Sequence, residues 1–258
     1  MEKKLFLFDV DGTLFDNANK CIRPLTVKAL KKLYEKGHEI VIATGRAYFM
    51  LEALDEIKPL ISHYILINGQ HVIANGKVIY EDTISKEALD NLVSSLRELD
   101  IVYGFEGAHS EAISAINEEV KDTFEELDLN LPPKNKDYHE EEKVHQMWCF
   151  CSPEQVKILE AKNPEFAFLK WLSAGYDIIK KGQSKGKGLM KLLKHLNKTT
   201  DDVVAFGDGD NDIEMLETAG LGIAMGNATE DLKRVSDYIT KSVGEDGIYY
   251  ALKHFKYI

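Results

Sequence analysis

The sequence LFLFDVDGTL, residues 5–14, places two carboxyl groups directly after a run of apolar residues. Four consecutive apolar residues are typical of a strand that is buried on both faces of a parallel sheet. In open α/β sheets, the side chains at the carboxyl ends of strands line the ligand crevice. Burying Asp9 and Asp11 there is costly unless a cation, a hydrogen-bond donor or a reaction uses them. Taken alone, the stretch also fits an ordinary acidic turn, because Asp-Gly is common in turns.

The composition is that of a globular protein. The chain has 258 residues, of which 44% are hydrophobic and 29% are charged, enough for one large or two modest domains. The formal net charge of −11 and the lack of a Lys/Arg-rich block disfavour a nucleic-acid partner. The three cysteines match neither zinc spacing nor a disulfide framework, and no stretch approaches twenty apolar residues. These features predict a cytoplasmic protein with no membrane partner, and a monomer by default.

Strand and helix patterns alternate at both ends of the chain, but not in its middle. The first part predicts strands at 5–10, 39–43 and 64–67, helices at 25–35 and 48–57, and a hairpin with a type I′ turn at Asn75-Gly76. The last part predicts helices at 185–196, 211–218, 229–235 and from 245, and strands at 203–206, 221–224 and 238–239. The middle predicts helices at 86–99, 118–127 and 154–162, and strands at 101–106, 112–116, 146–151, 167–171 and 176–179.

This order predicts an α/β protein with an insertion. A doubly wound, Rossmann-like parallel sheet forms a catalytic core from residues 1–81 and 181–258. Residues 82–180 form an inserted α+β cap domain of ordinary domain size. A module joined by two linkers between the halves of the sheet can cover the carboxyl ends of the strands. We therefore expect the cap to act as a lid.

Two further segments open helices in a way that suits an anion. Thr44-Gly45-Arg46 follows the second strand, and Ser184-Lys185 opens the first helix after the insertion, with Ser184 as the expected N-cap. A lysine in the first turn opposes the helix dipole unless it holds an anion. Each segment also has an interpretation without a ligand: Thr44 could be an ordinary N-cap, and Lys185 could be a solvated lysine.

A fourth segment, 207–212, carries three aspartates within five residues after a strand. Their mutual repulsion grows as water is excluded, and a divalent cation removes it. All candidate ligands are oxygens, which favours Mg²⁺ over zinc. A helix-loop-helix calcium site fails, because a loop starting at Asp208 puts Ile213 where glycine is needed and Ala219 where a glutamate is needed.

The four segments together resemble the haloacid dehalogenase superfamily. They read D-V-D-G-T at 9–13, T-G-R at 44–46, S-K-G at 184–186 and G-D-x-x-N-D at 207–212. More narrowly, the chain looks like the Cof-type small-molecule phosphatases, whose inserted cap is of subclass IIB. The resemblance covers nearly all of the α/β part. In the insertion it rests on position and element order alone.

The resemblance implies a division of roles among the acids. Asp9 corresponds to the nucleophile that forms an aspartyl-phosphate. Asp11 corresponds to the general acid and base, with a pKa raised enough to carry a proton at neutral pH, and Thr13 would orient it. Mg²⁺ would be held by the Asp9 carboxylate, the Asp11 carbonyl and Asp208, with Asp212 acting directly or through water.

The remaining site residues would hold the substrate phosphate. Thr44, Gly45 and Lys185 would bind the phosphoryl oxygens, and Asn68 and Asn211 would contribute. The implied function is a Mg²⁺-dependent phosphatase of small phosphorylated metabolites, sugar phosphates in particular. A phosphomutase of the phosphomannomutase type is the alternative, although its fourth segment is usually longer. A binding module without turnover has no support, because both Asp9 and Asp11 are present.

Several residues keep more than one interpretation. Arg46 could hold phosphate, contact the lid or pair with an acid. Asp16 and Asp210 are interpreted as solvated loop acids, and Trp148 and Trp171 as core residues of the cap. The cap residues that could face substrate are Tyr103, His109, Lys170, Trp171 and Tyr176.

Overall fold

The computed structural model describes residues 3–126, 130–170 and 175–258. The chain forms two compact units, a core of the residues up to 81 and from 183 onward, and a cap of residues 82–182. The sequence placed the second boundary two residues earlier, between 180 and 181. Within the described ranges, no helix has the length and apolar character to cross a membrane.

The secondary structure is mixed throughout. The strands are β1 Leu5–Phe8, β2 Phe15–Asp16, β3 Cys21–Ile22, β4 Glu39–Ala43, β5 Ile61–Leu66, β6 His71–Ala74, β7 Lys77–Glu81, β8 Val102–Glu106, β9 Glu111–Ile113, β10 Gln146–Phe150, β11 Phe166–Lys170, β12 Gly175–Lys180, β13 Val203–Gly207, β14 Leu221–Ala224 and β15 Tyr238–Ile239. The helices are α1 Pro24–Glu35, α2 Lys86–Glu98, α3 Glu118–Glu126, α4 Pro153–Lys162, α5 Lys185–Leu196, α6 Ile213–Thr218, α7 Glu230–Val235 and α8 Gly247–His254.

The core is built on one sheet with the strand order β15-β14-β13-β1-β4-β5-β6-β7. The first six strands of this order are parallel, and β6 and β7 continue the sheet antiparallel. From β1, the chain adds β4 and β5 on one side and later β13 and β14 on the other. The carboxyl end of β1 therefore lies where the strand order reverses, which is the ligand position in such sheets. The predicted α/β fold class is confirmed.

Strand β1 is central because both of its faces are apolar. All four of its residues are buried. Phe6 and Phe8 pack into one apolar cluster, which includes residues of α1 and α8. Leu5 and Leu7 pack into a second cluster on the other face, with residues of α5 and α6. Helices thus cover both faces of the sheet, and ligands can reach the strands only at their ends.

Local sequence signals start and stop several elements as predicted. Asn75 and Gly76 have φ values of 48° and 74° in the two-residue turn between β6 and β7, which confirms the type I′ hairpin. Ser184 accepts a hydrogen bond from the Lys187 amide at 3.1 Å, so it caps α5 as expected.

The cap contains a five-stranded antiparallel sheet with the order β11-β12-β10-β8-β9. One face packs in an apolar cluster with residues of α2 and α4. The other face packs with α3, where the Phe124 and Trp148 rings lie 5.6 Å apart. Predicted positions 127 and 171 lie outside the described residues.

Two predicted helices are wrong or too long. Residues 48–57 form two short 3₁₀ turns, Tyr48–Met50 and Glu52–Leu54, in place of one α-helix. The buried apolar residues Leu51, Leu54 and Ile57 recur every third residue, which matches the 3₁₀ repeat better than the α repeat.

The helix expected from Asn211 begins at Ile213, after a 3₁₀ turn at Asp210–Asp212. The cause is a side-chain contact, since the Asp212 carboxylate accepts bonds from the amides of Asp208 and Gly209. The remaining predicted elements are found, some with the predicted bounds and others with shifted ends, and the small β2–β3 hairpin was not predicted.

Candidate active site

The predicted site residues of the core follow neighbouring strands of one sheet. Asp9 follows β1, Thr44 follows β4, Asn68 follows β5 and Asp208 follows β13. These four strands are adjacent in the order β13-β1-β4-β5, and they are parallel. Their carboxyl ends therefore meet at a single edge.

Lys185 joins the acids at this edge. Its Nζ lies 2.6 Å from Asp9 Oδ1 and 2.6 Å from Asp212 Oδ1. The Lys185 and Asp212 side chains are 0% exposed, and that of Asp9 is 8% exposed. The two acids raise the pKa of Lys185 against the effect of burial, so the ammonium stays charged. A buried charge is tolerable because it is paired twice.

The acid cluster has more negative charge than this lysine can offset. Asp9, Asp208 and Asp212 each offer a carboxylate oxygen, and these oxygens lie within 4.8 Å of one another. Burial, opposed by Lys185 and aided by the neighbouring carboxylates, raises the pKa of Asp9 well above its usual value. Burial likewise raises the pKa of Asp208 to about 6. Three carboxylates against one ammonium leave two negative charges, which one divalent cation would balance. The donor set of oxygens fits Mg²⁺.

The position of Asp208 is fixed by two donors. Thr13 Oγ1 donates to Asp208 Oδ1 at 3.0 Å, and Asn227 Nδ2 donates to Asp208 Oδ2 at 3.2 Å. Asn227 also donates to the Gly12 carbonyl at 2.9 Å. A Cβ on Gly12 would lie 2.1 Å from Asp208 Oδ2, and the φ of Gly12 is +76°. The turn after β1 therefore needs glycine, so that the Asp208 carboxylate can approach it.

Thr13 and Asn227 differ from the sequence-based expectations. The resemblance implied that Thr13 orients Asp11. In the structure the Thr13 hydroxyl donates to Asp208 instead, because β13 is the neighbour of β1. Asn227 was given no role. Its position just after β14 is the signal that could have identified it, since it also follows the carboxyl end of a core strand.

Asp11 is paired with Arg46. The guanidinium donates from Nε to Oδ2 at 2.8 Å and from Nη2 to Oδ1 at 2.7 Å. Arg46 also donates to the Met50 carbonyl at 3.2 Å. Of the three roles left open for Arg46, the structure shows pairing with an acid. This bidentate pair occupies both oxygens of the Asp11 side chain.

The residues predicted to hold phosphate lie along the β4 and β5 ends. Thr44 is buried, and its hydroxyl accepts a hydrogen bond from the Arg46 amide at 3.1 Å. Asn68 has a φ of 49° and accepts from Asn211 Nδ2 at 3.2 Å. A Cβ on Gly45 would lie 3.3 Å from the side-chain Nδ2 of Asn68. Thr44 retains a hydroxyl proton to donate to an anion.

The other named residues have varied surroundings. Asp16 is 2% exposed and accepts two hydrogen bonds from Asn19, so its interpretation as a solvated acid is wrong. The small β2–β3 hairpin encloses it. Asp210 is exposed, and Trp148 is buried in the cap as expected.

The cap residues named as facing substrate divide into two groups. Tyr103 and Tyr176 are buried in the apolar cluster of the cap, whereas His109 and Lys170 are exposed. Trp171 lies outside the described residues.

Comparisons with known proteins agree with this fold. The family model of the haloacid dehalogenase-like hydrolases matches residues 6–252. YkrA of Bacillus subtilis is 35% identical over 256 residues, which are 98% of each chain. The structure of the subclass IIB sugar phosphatase BT4131 has a TM-score of 0.91 at 33% identity and covers 99% of this chain and 100% of that one. BT1666, a phosphatase from Bacteroides thetaiotaomicron, has a TM-score of 0.91 at 30% identity, covering 99% and 96%.

The family model, the relative and the structural neighbours together show that this chain is a phosphoric monoester hydrolase. The chain belongs to the haloacid dehalogenase-like hydrolases, and its likeness to BT4131 and BT1666 places it with the phosphatases of that superfamily. The expected resemblance is confirmed.

Proposed function

We propose that this protein hydrolyses sugar phosphates through an aspartyl-phosphate on Asp9, in a Mg²⁺-dependent reaction. The observation that carries the proposal is the buried cluster at the end of β1. In this cluster the Asp9 carboxylate lies beside the Lys185 ammonium, and two of the three carboxylate charges have no positive charge to balance them. Such a cluster suits a phosphate group and a divalent cation together, because phosphoryl transfer depends mainly on positioning and charge neutralisation.

The cation would be held by the Asp9 and Asp208 carboxylates and the Asp11 backbone carbonyl. Both oxygens of Asp212 already accept hydrogen bonds, which favours a contact through water. When bound, Mg²⁺ supplies charge neutralisation at the phosphoryl oxygens.

The first chemical step uses Asp9 as the nucleophile. Asp9 Oδ1 bonds to Lys185, and among the described residues nothing donates to Oδ2. One carboxylate oxygen attacks phosphorus while the bond to the leaving oxygen breaks. Asp11 gives its proton to that oxygen, so a neutral alcohol leaves. Lys185 and Thr44 stabilise the negative charge on the phosphoryl oxygens.

The second step returns the enzyme to its starting form. The Asp11 carboxylate takes a proton from water, and the water oxygen attacks phosphorus. The bond between Asp9 and phosphorus breaks, which releases inorganic phosphate and the Asp9 carboxylate. Asp11 ends the cycle protonated, as the first step requires.

Arg46 controls when Asp11 is available. The bidentate pair occupies both Asp11 oxygens, so Asp11 can reach the leaving oxygen only after Arg46 moves away. A substrate phosphate that draws Arg46 toward itself would release Asp11. Arginine suits this exchange, because carboxylate and phosphate offer it the same paired acceptors.

The substrate class rests on similarity. BT4131, which matches nearly the whole chain, is a sugar phosphatase. The test is a screen of phosphorylated sugars, polyols and nucleotides that measures free phosphate with Mg²⁺ and with a chelator. We expect sugar phosphates to be hydrolysed fastest, only with Mg²⁺, and the Asp9→Asn variant to lose at least about a thousandfold in rate.

Two outcomes of this screen would count against the proposal. Equal rates of phosphate release with and without the chelator would contradict a role for Mg²⁺. Faster hydrolysis of nucleotides than of sugar phosphates would contradict the proposed substrate class. Measuring isomerised sugar phosphate in the same samples detects a phosphomutase. Asp210→Asn is the matched control, since Asp210 is exposed and bonds to Thr229.

A further inference from the structure

A second group of potential metal ligands lies in the cap. Asp90 is on α2, and His139 and Glu140 lie in the 3₁₀ turn Tyr138–Glu140. One ligand atom from each residue lies within 4.8 Å of the others. All three line one surface pocket. None of them belongs to the core unit that contains Asp9.

His139 distinguishes this group from an ordinary acidic patch. Its side chain is only 4% exposed, Nδ1 has no hydrogen-bond partner among the described residues, and Nε2 faces the Asp90 and Glu140 carboxylates. The ring stacks on Phe105, with centroids 5.1 Å apart, which fixes its direction. A buried imidazole that turns one nitrogen toward two carboxylates and leaves the other without a hydrogen bond needs an explanation.

The spacing of the ligand atoms matches a small tetrahedral site. His139 Nε2 lies 3.5 Å from Asp90 Oδ1 and 3.7 Å from Glu140 Oε1. Ligands about 2.1 Å from zinc at tetrahedral angles are separated by roughly 3.4 Å. One imidazole and two carboxylates are a common zinc donor set that leaves a fourth position for water.

Lys86 shows that the group already attracts a cation. Its Nζ lies 3.1 Å from Asp90 Oδ1 and 2.7 Å from Glu140 Oε2. One ammonium offsets only one of the two negative charges. The Lys86 side chain is 58% exposed on a flexible stem, so it can move into solvent at little cost. Arg97, which lines the pocket, is held by Tyr103 and Asp137.

We propose that Asp90, His139 and Glu140 form a zinc(II) site on the cap, which Lys86 occupies when zinc is absent. Bound zinc joins α2 to the turn Tyr138–Glu140 and keeps one position for water. The site is separate from the acid cluster at the end of β1, and it does not depend on the proposed reaction.

The test is a zinc titration of the tag-free full chain with excess Mg²⁺, followed by competition with a chromogenic chelator. We expect about one equivalent of zinc to bind. Asp90→Asn and Glu140→Gln should each weaken binding by about tenfold or more, because each removes a ligand. Lys86→Met should tighten binding severalfold, because it removes the competing ammonium.

Two controls separate this site from others. Glu87→Gln changes a neighbouring residue of α2 outside the group and should alter zinc affinity less than twofold. Asp208→Asn weakens the core cluster and should leave the equivalent of zinc in place. The proposal fails if the bound zinc disappears in Asp208→Asn, if Lys86→Met does not tighten binding, or if Glu87→Gln weakens it as much as Asp90→Asn.

Discussion

At the edge of the core sheet, Asp9 and Asp212 share the Lys185 ammonium at 2.6 Å. In the cap sheet, the side-chain carboxyl groups of Asp177 and Glu111 have no hydrogen-bond or ion-pair partner among the described residues. Burial alone raises the pKa of Asp177 to about 7 and that of Glu111 to about 7. The core acids thus surround the ammonium of Lys185. The two cap acids have no cation beside them, and only protonation can neutralise their charge.

The difference has consequences for both stability and function. A cluster of carboxylates around an ammonium can bind phosphate and a divalent metal ion together. An isolated carboxyl group with a raised pKa destabilises the folded state when it ionises. Clustered buried acids therefore indicate function in the core, whereas the half-buried acids Asp177 and Glu111 of the cap mainly make stability depend on pH. Four changes test this contrast.

The largest effect is expected from Lys185→Met. It removes the ammonium and leaves Asp9 and Asp212 buried together without a cation. We expect the free energy of unfolding to fall by about 3–5 kcal/mol, as when one partner of a buried pair is lost. Urea titration measures the loss. Lys187→Met, two residues later on the exposed side of α5, is the control, and an equal loss there would contradict the role of the buried pair.

Mg²⁺ should stabilise the folded protein through the core cluster. At a hundred times its dissociation constant, a ligand of the folded state contributes about 2.7 kcal/mol. For a chain of this size we expect Tm to rise by about 5 °C or more. Thermal scans with and without Mg²⁺ measure the shift. Asp208→Asn should abolish most of it, and an unchanged shift in that variant would place the cation elsewhere.

Asp177→Asn should stabilise the cap in alkaline but not in acidic solution. The folded pKa of Asp177, about 7, lies above its ordinary value of 3.8. The folded state therefore loses stability as pH rises from about 4 to 7, and the loss is complete above 7. Asparagine avoids this loss. We expect Tm to rise by a few degrees at pH 8 and to be unchanged near pH 4.

The control for that change is Glu160→Gln, at an exposed position of α4. It should give no difference between the two pH values. The interpretation of Asp177 is contradicted if Asp177→Asn shifts Tm equally at pH 4 and pH 8.

The smallest effect is expected from Asp137→Asn. Asp137 accepts a hydrogen bond from Arg97 at 2.7 Å, and this bond lowers the pKa of Asp137. A lowered pKa contributes stability above the ordinary value of 3.8 that is lost as pH falls through the folded value. Because both side chains are about half exposed, Tm at pH 7 should fall by only about 1 °C. A rise in Tm would reverse the expected sign.

The contrast also explains what the sequence could predict. The core site was predictable because parallel strands bring their carboxyl ends to one edge, so Asp9, Thr44 and Asp208 could be placed together without coordinates. The pairing of Asp11 with Arg46 could not be predicted, because it depends on how the segment after Thr44 turns. Residues 48–57 in that segment were also wrongly predicted as an α-helix, because their apolar repeat of three residues was interpreted as the 3.6-residue repeat of an α-helix.

In the cap, no comparable rule exists. An antiparallel sheet covered on both faces gives no edge at which functional side chains gather. The proximity of Asp90 to His139 depends on how a turn about fifty residues later packs against α2. The burial of Asp177 depends on which strands flank β12. These are tertiary contacts, and no local pattern encodes them.

The central claim is that Asp9 becomes phosphorylated, and a single-turnover experiment tests it most directly. The Asp11→Asn variant is mixed with p-nitrophenyl phosphate, whose leaving group needs no proton, so the first step proceeds while hydrolysis of the intermediate is slowed. After acid quenching and digestion, mass spectrometry locates the phosphate. We predict a burst of nitrophenolate and a hydroxylamine-sensitive phosphate on the peptide containing Asp9. Phosphate on another residue, or a burst with no phosphorylated peptide, would contradict the account.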